Sequence, residues 1–241
     1  MTTLFISYGD NNFANSRRRI LLEANNSGMF DYVKVYQPTD LSEEFKEFTQ
    51  PYISQSYGGG YWLWKPYIIK KAFDDMKVGD VCVYADAGCH VNAHGKDRLH
   101  QYINMVTDDI SGIISFDLES LTEEMYNTER VFEYFNIPEN DTTIRKTNQL
   151  MATILILRKC EASIKLVNDY YQIAITQPSL FSDEHNEYKK QKVYRGHRHD
   201  QSLLSILRKK HGSLIIPDET YSATDYKQFK HIPILSTRIK N

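Results

Sequence analysis

Residues 81–90 read VCVYADAGCH, and the fold turns on that stretch. An uncharged run rich in valine and tyrosine leads to a single acid, Asp86, and the chain then turns at Gly88. A short apolar run bounded by turn residues is the pattern of a buried strand. A carboxylate at the end of such a strand costs free energy to desolvate unless a cation or a hydrogen-bond donor meets it. Either a structural partner satisfies Asp86 or a ligand does.

Upstream, Thr3 to Tyr8 is a short apolar strand that ends in Gly9-Asp10. Residues 12–24 have helical character, with Asn15 or Ser16 as cap and Ile20, Leu21 and Ala24 on one face. Tyr32 to Tyr36 alternates as a second strand, and residues 41–48 read as a short helix. The glycine-aromatic segment YGGGYWLWKP (57–66) follows, then a helix over 67–76. Downstream, helices are expected over 96–106, 122–135, 161–175 and 200–210. Strands are expected over 112–116, 150–157 and 213–216, with a polar tail beyond.

Strands alternating with helices predict an α/β protein, a three-layer α/β/α sandwich with a mostly parallel central sheet. No linker, repeat or low-complexity tract divides the chain, so residues 1–241 read as a single domain. In such sheets ligands sit beyond the carboxyl ends of the strands. Tyr8-Gly9-Asp10 and Asp86-Ala87-Gly88 end two strands expected on one edge. The polar stretch 182–196 reads as a loop that could order over a ligand there.

Composition narrows the function classes. Hydrophobic residues are 41%, charged residues 25% and the formal net charge is −2, so no global field draws the chain to nucleic acid or an anionic membrane. No stretch approaches the roughly 18 apolar residues of a membrane span, and residues 1–13 lack the pattern of a secretory signal, so a cytoplasmic protein is expected. Cys82, Cys89 and Cys160 are odd in number and lack CxxC spacing, which points to buried free thiols. The 17 tyrosines and two tryptophans offer flat faces with polar edges, which suit stacking on sugars and bases as well as ordinary cores.

Two further stretches carry candidate chemistry. In YGGGYWLWKP the glycines allow close backbone approach, and Trp62, Trp64 and Lys65 could meet a ligand; alternatively the segment is a turn whose aromatics pack in the core. Neither a dinucleotide fingerprint nor a P-loop spacing is present. In HRHDQSLLSIL (197–207), Asp200 and Gln201 open a helix whose N-terminus favours anions, or Asp200 is simply its cap. His197 and His199 alone make poor zinc evidence. Arg17-Arg18-Arg19 could reach a phosphate or simply line a solvated helix face.

Together, YGGGYWLWKPYII, VCVYADAGC and HRHDQSLLSILRKKHG resemble small glycosyltransferase-like proteins of the GT-A fold, from bacterial surface-polysaccharide clusters and large algal DNA viruses. The resemblance runs in order over roughly residues 3–217. It implies a UDP- or GDP-linked sugar donor at the carboxyl edge of the sheet and a glycan or lipid-linked acceptor. It implies that Tyr8 and Gly9 border the nucleotide and that Trp64 and Lys65 lie near the donor. Asp86, followed by Ala87, would occupy the DxD position that holds Mn2+ or Mg2+ on the diphosphate. Asp200 and Gln201 would lie near the anomeric carbon. The second acid of DxD is absent, because Asp86-Ala87-Gly88 offers one carboxylate. Two other readings compete: a non-catalytic nucleotide- or carbohydrate-binding module on the same fold, and another α/β enzyme such as a methyltransferase, which would need a glycine-rich loop after the first strand.

Overall fold

The computed structural model describes residues 1–186, 193–221 and 229–239. The loop expected over 182–196 therefore lies partly outside the described residues.

The chain opens with β1 (Thr3–Tyr8), α1 (Ala14–Ser27) and β2 (Tyr32–Tyr36). Next come α2 (Glu43–Phe48), the irregular turn α3 (Gly58–Tyr61) and α4 (Trp64–Asp75). α4 starts at Trp64 rather than 67 and tolerates Pro66, because an amide in the first helical turn has no intrahelical partner to lose. β3 (Val81–Ala85), β4 (His90–Val91), α5 (Lys96–Asp108) and β5 (Ile113–Thr122) follow. Then come α6 (Glu123–Tyr126), α7 (Glu129–Tyr134), β6 (Asn148–Leu150), β7 (Ile154–Arg158) and α8 (Glu161–Thr176). The described chain closes with α9 (His199–His211), β8 (Leu214–Pro217) and β9 (Ile234–Leu235).

The central sheet has seven strands in the order β2-β1-β3-β7-β5-β6, with β8 also on β5. β1 is parallel to β2 and β3, β7 is antiparallel to both β3 and β5, and β8 is parallel to β5. β6 runs antiparallel to β5. Five of the seven strands therefore share one direction, the mostly parallel α/β architecture the alternation predicts.

Alternation along each central strand splits the core into two layers. Ile6, Tyr8, Cys82, Tyr84, Leu155 and Leu157 face a layer with α4, α8 and α9. Phe5, Val81, Val83, Ile154 and Ile156 face α1 and α5. Helices thus cover both faces, leaving the strand ends as the open edge.

Three local expectations change. Residues 122–135 do not form one helix: β5 runs to Thr122, and extended backbone at Asn127 and Thr128 separates α6 from α7. The Asn127 amide donates to the Glu123 carbonyl at 3.2 Å, a local bond that competes with helix continuation. Residues 150–157 split into β6 and β7, because the turn between them is fixed from outside. Asp86 N donates to Thr153 O at 2.9 Å, and Arg208 donates to the carbonyls of Leu150 and Met151, each at 2.7 Å. The tail is not merely polar: Ile232, Ile234 and Leu235 are buried, and β9 pairs antiparallel with β4. Gly95 makes room for this return, since a Cβ there would lie 2.3 Å from Pro233 Cα.

Candidate functional site

β1 and β3 are adjacent and parallel, so Gly9-Asp10 and Asp86 emerge on the same edge. α4 begins just past the glycine segment and carries Lys65 beneath that edge. The bend before it needs glycine: Gly60 has φ +95, and a Cβ there would lie 2.6 Å from Ile53 O.

Lys65 is the hub. It is 1% exposed, and its Nζ donates to Ala152 O at 3.1 Å and to Asp200 Oδ2 and forms an ion pair with Asp86 Oδ1 at 3.2 Å. An ammonium has three protons, and each meets an acceptor. Asp86 Oδ1 also accepts from the Tyr84 hydroxyl. Burial pushes the Tyr84 phenol far up, and the Asp86 charge adds to the shift, so Tyr84 stays a neutral donor. Burial works against the Lys65 charge, but Asp200 and Asp86 outweigh it and hold its pKa above the ordinary range. Burial raises the Asp200 carboxyl, opposed by Lys65 and reinforced by Asp86. One cation shared by two acids leaves the cluster with an excess negative charge. That excess sits at an accessible point, because the Asp86 side chain is 31% exposed whereas that of Asp200 is 8% exposed.

Asp200 does not cap its helix. Arg198 occupies the N-cap, and the Asp200 carboxylate turns to Lys65 instead. The Gln201 amide is also engaged: Oε1 accepts from Ala152 N at 3.3 Å and Nε2 donates to Gln149 Oε1 at 2.8 Å. Tyr8 stacks on Trp64 with centroids 4.1 Å apart, and the Trp64 indole donates to Gly58 O at 3.0 Å. Gly9 N donates to Tyr36 O at 3.3 Å, and Ala87 O accepts from Arg19 at 2.8 Å. Tyr8, Trp64 and Ala87 are buried. Asp86, by contrast, reaches solvent.

Sequence reasoning passed over several neighbours. Arg198 lies 3.8 Å over the Tyr126 ring, and its pKa is lowered by burial and by the nearby charge of Arg238. Arg238 arrives on the returning tail, where Thr237 Oγ1 and Ile239 N both donate to Gly88 O, at 2.9 and 2.8 Å. Glu123, on α6, is buried and bound to Lys209, Ser205, Asn127 and Gln149. Its place inside an expected helix hid it, since only the structure carries β5 on to Thr122.

The other candidates carry no reactive group. Burial raises the Cys82 thiol to about 12 and also pushes the Cys89 thiol well above its ordinary value. His197 is pushed down to about 3 by burial and by His199, and its Nε2 meets Leu180 O at 2.8 Å. Among the described residues no group of three or more His, Cys, Asp or Glu comes together to hold a metal ion. Asp86 still fits a divalent cation as a single hard-oxygen ligand, since the cluster carries excess negative charge and this carboxylate is its exposed part. A cleft of about 650 Å³ lies elsewhere, between α1 and β4, and its lining includes none of the Lys65 cluster. No described helix is long and apolar enough to cross a membrane.

No family model matches the chain, and no curated protein matches it either. Solved structures do. Mouse xyloside xylosyltransferase 1 in its apo form is 13% identical, covering 96% of each chain, with a TM-score of 0.47. A glycosyltransferase involved in the glycosylation of the major capsid of PBCV-1 is 8% identical, covering 98% of this chain and 92% of that one, with a TM-score of 0.52. Over nearly its whole length, then, this chain has the GT-A-like fold of a glycosyltransferase.

Proposed function

We propose that the protein transfers a sugar from a UDP- or GDP-linked donor to a hydroxyl of a glycan or lipid-linked acceptor, in the cytoplasmic synthesis of a surface polysaccharide or a glycoprotein glycan. One observation carries this reading. A buried lysine ties together two acids at the carboxyl edge of parallel strands, and one of the acids remains open to solvent.

Glycosyl transfer breaks the bond between the anomeric carbon and the diphosphate and forms one to the acceptor oxygen, whose proton passes to the departing diphosphate oxygen. Positive charge grows on the sugar while negative charge grows on the leaving group. The Asp200 carboxylate, held by Lys65, suits the first; Arg238 beside the Gly88 turn, with Arg198 close enough to sense its charge, suits the second. Asp200 is fixed by Lys65 and held in a low-dielectric position, so its role is electrostatic stabilisation at the anomeric carbon rather than proton removal. Gln201 fixes the β6–β7 turn that supplies the Ala152 carbonyl to Lys65. Asp86 would hold Mn2+ or Mg2+, which when bound supplies charge neutralisation on the diphosphate.

Titration calorimetry of UDP and GDP, with and without Mn2+, into wild type and Asp86→Ala tests this reading. Metal-enhanced nucleotide binding that is lost in the variant is expected. Binding indifferent to both metal and Asp86 would make Asp86 a turn residue. The competing reading, a binding module without turnover, draws support from the single carboxylate of the Asp86-Ala87-Gly88 turn. Slow hydrolysis of a UDP- or GDP-sugar, seen as nucleoside diphosphate release, would exclude it.

A further inference from the structure

The transferase reading uses Lys65, Asp86 and Asp200 but leaves the front of the glycine segment without a role. Tyr57, Tyr61 and Trp62 gather around His199, the residue before Asp200. The His199 ring lies 5.6 Å from Tyr61 and 5.2 Å from Trp62, tilted by only 31° and 34°. Tyr57 stands across all of them, at 66° to Tyr61, 89° to Trp62 and 63° to His199. The result is a corner, with a layer of rings meeting an upright one. Tyr57 is 54% exposed, which is wasteful for a ring that could have packed inward.

Backbone strain collects at the same place. Tyr61, Trp62 and His199 all have positive φ, at 53, 58 and 49°. Bulky side chains avoid this region, so three such residues in contact around one corner hold local strain. Such outliers persist where the surrounding structure enforces a particular presentation of side chains. Polar groups rim the corner: Asp183 pairs with His199 Nε2 at 3.1 Å, and the Tyr52 hydroxyl donates to Glu184. Asp183 and Glu184 are both exposed.

A pyranose ring matches this arrangement, with an apolar C–H face for the rings and a rim of hydroxyls for the carboxylates. We infer that Tyr57, Tyr61 and Trp62, with Asp183 at the rim, form the acceptor-sugar subsite, beside Asp200 and across Lys65 from Asp86. The inference rests on the transferase reading for the word acceptor; the sugar site itself stands on the aromatic corner. A nucleobase is the poorer occupant, because the acids at the rim repel the phosphates attached to it.

The test uses wild type, Tyr57→Ala and Tyr57→Phe. Methyl glucoside, galactoside, mannoside and xyloside are presented in turn, and binding is read by saturation-transfer NMR; UDP and GDP are titrated in parallel. Tyr57 is exposed, so its truncation leaves the core intact. The expected result is binding of at least one glycoside, weakened about tenfold in Tyr57→Ala and retained in Tyr57→Phe, with nucleotide binding unchanged. Glycoside binding that ignores Tyr57→Ala overturns the inference. So does nucleotide binding without glycoside binding, which leaves the transferase reading standing. Loss of nucleotide binding in Tyr57→Ala would assign the corner to the base and overturn it as well. Glycoside binding that needs Tyr57, with no nucleotide binding, would keep the sugar site and remove the transferase reading. Binding of neither removes both.

Discussion

Glu123 and Asp86 are both acids paired with a lysine, and the protein treats them in opposite ways. Glu123 has no exposed side-chain surface. Its Oε1 accepts from Lys209 at 2.6 Å and from Ser205, and its Oε2 accepts from Asn127 at 2.6 Å and Gln149 at 3.2 Å. Every lone-pair direction of consequence is used, and Lys209 serves no other acid among the described residues. Asp86 shares its lysine with Asp200 and is partly open to solvent. A carboxylate that is sealed and saturated ties elements together; one that shares its cation at a strand end keeps capacity for a ligand.

That contrast can be broken most directly by removing each acid. Glu123→Ala leaves Lys209, Gln149 and Asn127 short of an acceptor and should cost about 3–5 kcal/mol in urea unfolding. Asp86→Ala should change stability by no more than about 1 kcal/mol while abolishing nucleotide binding, since Lys65 retains Asp200 and Ala152. Equal losses of stability would erase the distinction.

Lys65→Met sharpens it. The two acids then face each other without their cation, at a cost of about 3 kcal/mol near neutral pH. The Asp200 carboxyl, already raised, should rise further. An acid whose folded pKa exceeds its unfolded one keeps full stability below the unfolded value and loses it as pH rises through the folded value. The variant should therefore sit closer to wild type at pH 5 than at pH 8 in urea midpoints. A gap that is independent of pH would refute the account.

His197 gives a smaller effect of opposite sign. Its folded pKa is depressed to about 3, so the unfolded chain binds a proton that the folded chain refuses. Stability is complete above the ordinary histidine value and falls as the pH drops below about 6.5, by roughly 1.4 kcal/mol per unit and so about 2 kcal/mol by pH 5. His197→Asn should flatten this slope between pH 6.5 and 5 in thermal melts. The smallest effect belongs to the exposed pair Lys46–Glu43, at 2.7 Å on α2. Glu43→Gln should leave the unfolding midpoint within error, because solvent screens such pairs.

Much of the fold was legible because it is written locally. β1, β3, α5, α8 and α9 follow from alternation, helical spacing and flanking turn residues, each visible within a dozen residues. The break between β6 and β7 was not, because Arg208 and Asp86 impose it from distant parts of the chain. Nor was the return of the tail, where the short run Ile232 to Leu235 gains meaning only on meeting β4.

The same line runs through the site. Lys65, Asp86 and Asp200 could be singled out one by one, since charges beside apolar runs need partners. That Tyr8, Trp64 and Ala87 are buried was not legible, because residue type does not reveal which side of an edge a side chain takes. By itself the sequence determined an α/β chain with an acid at the end of a buried strand and a second acid opening a late helix. Only the tertiary structure decided that both acids share one lysine, 135 residues from Asp200, and that Asp86 alone stays open. Periodicity reports a residue's neighbours along the chain, whereas the partner of a charge is chosen by packing across the sheet.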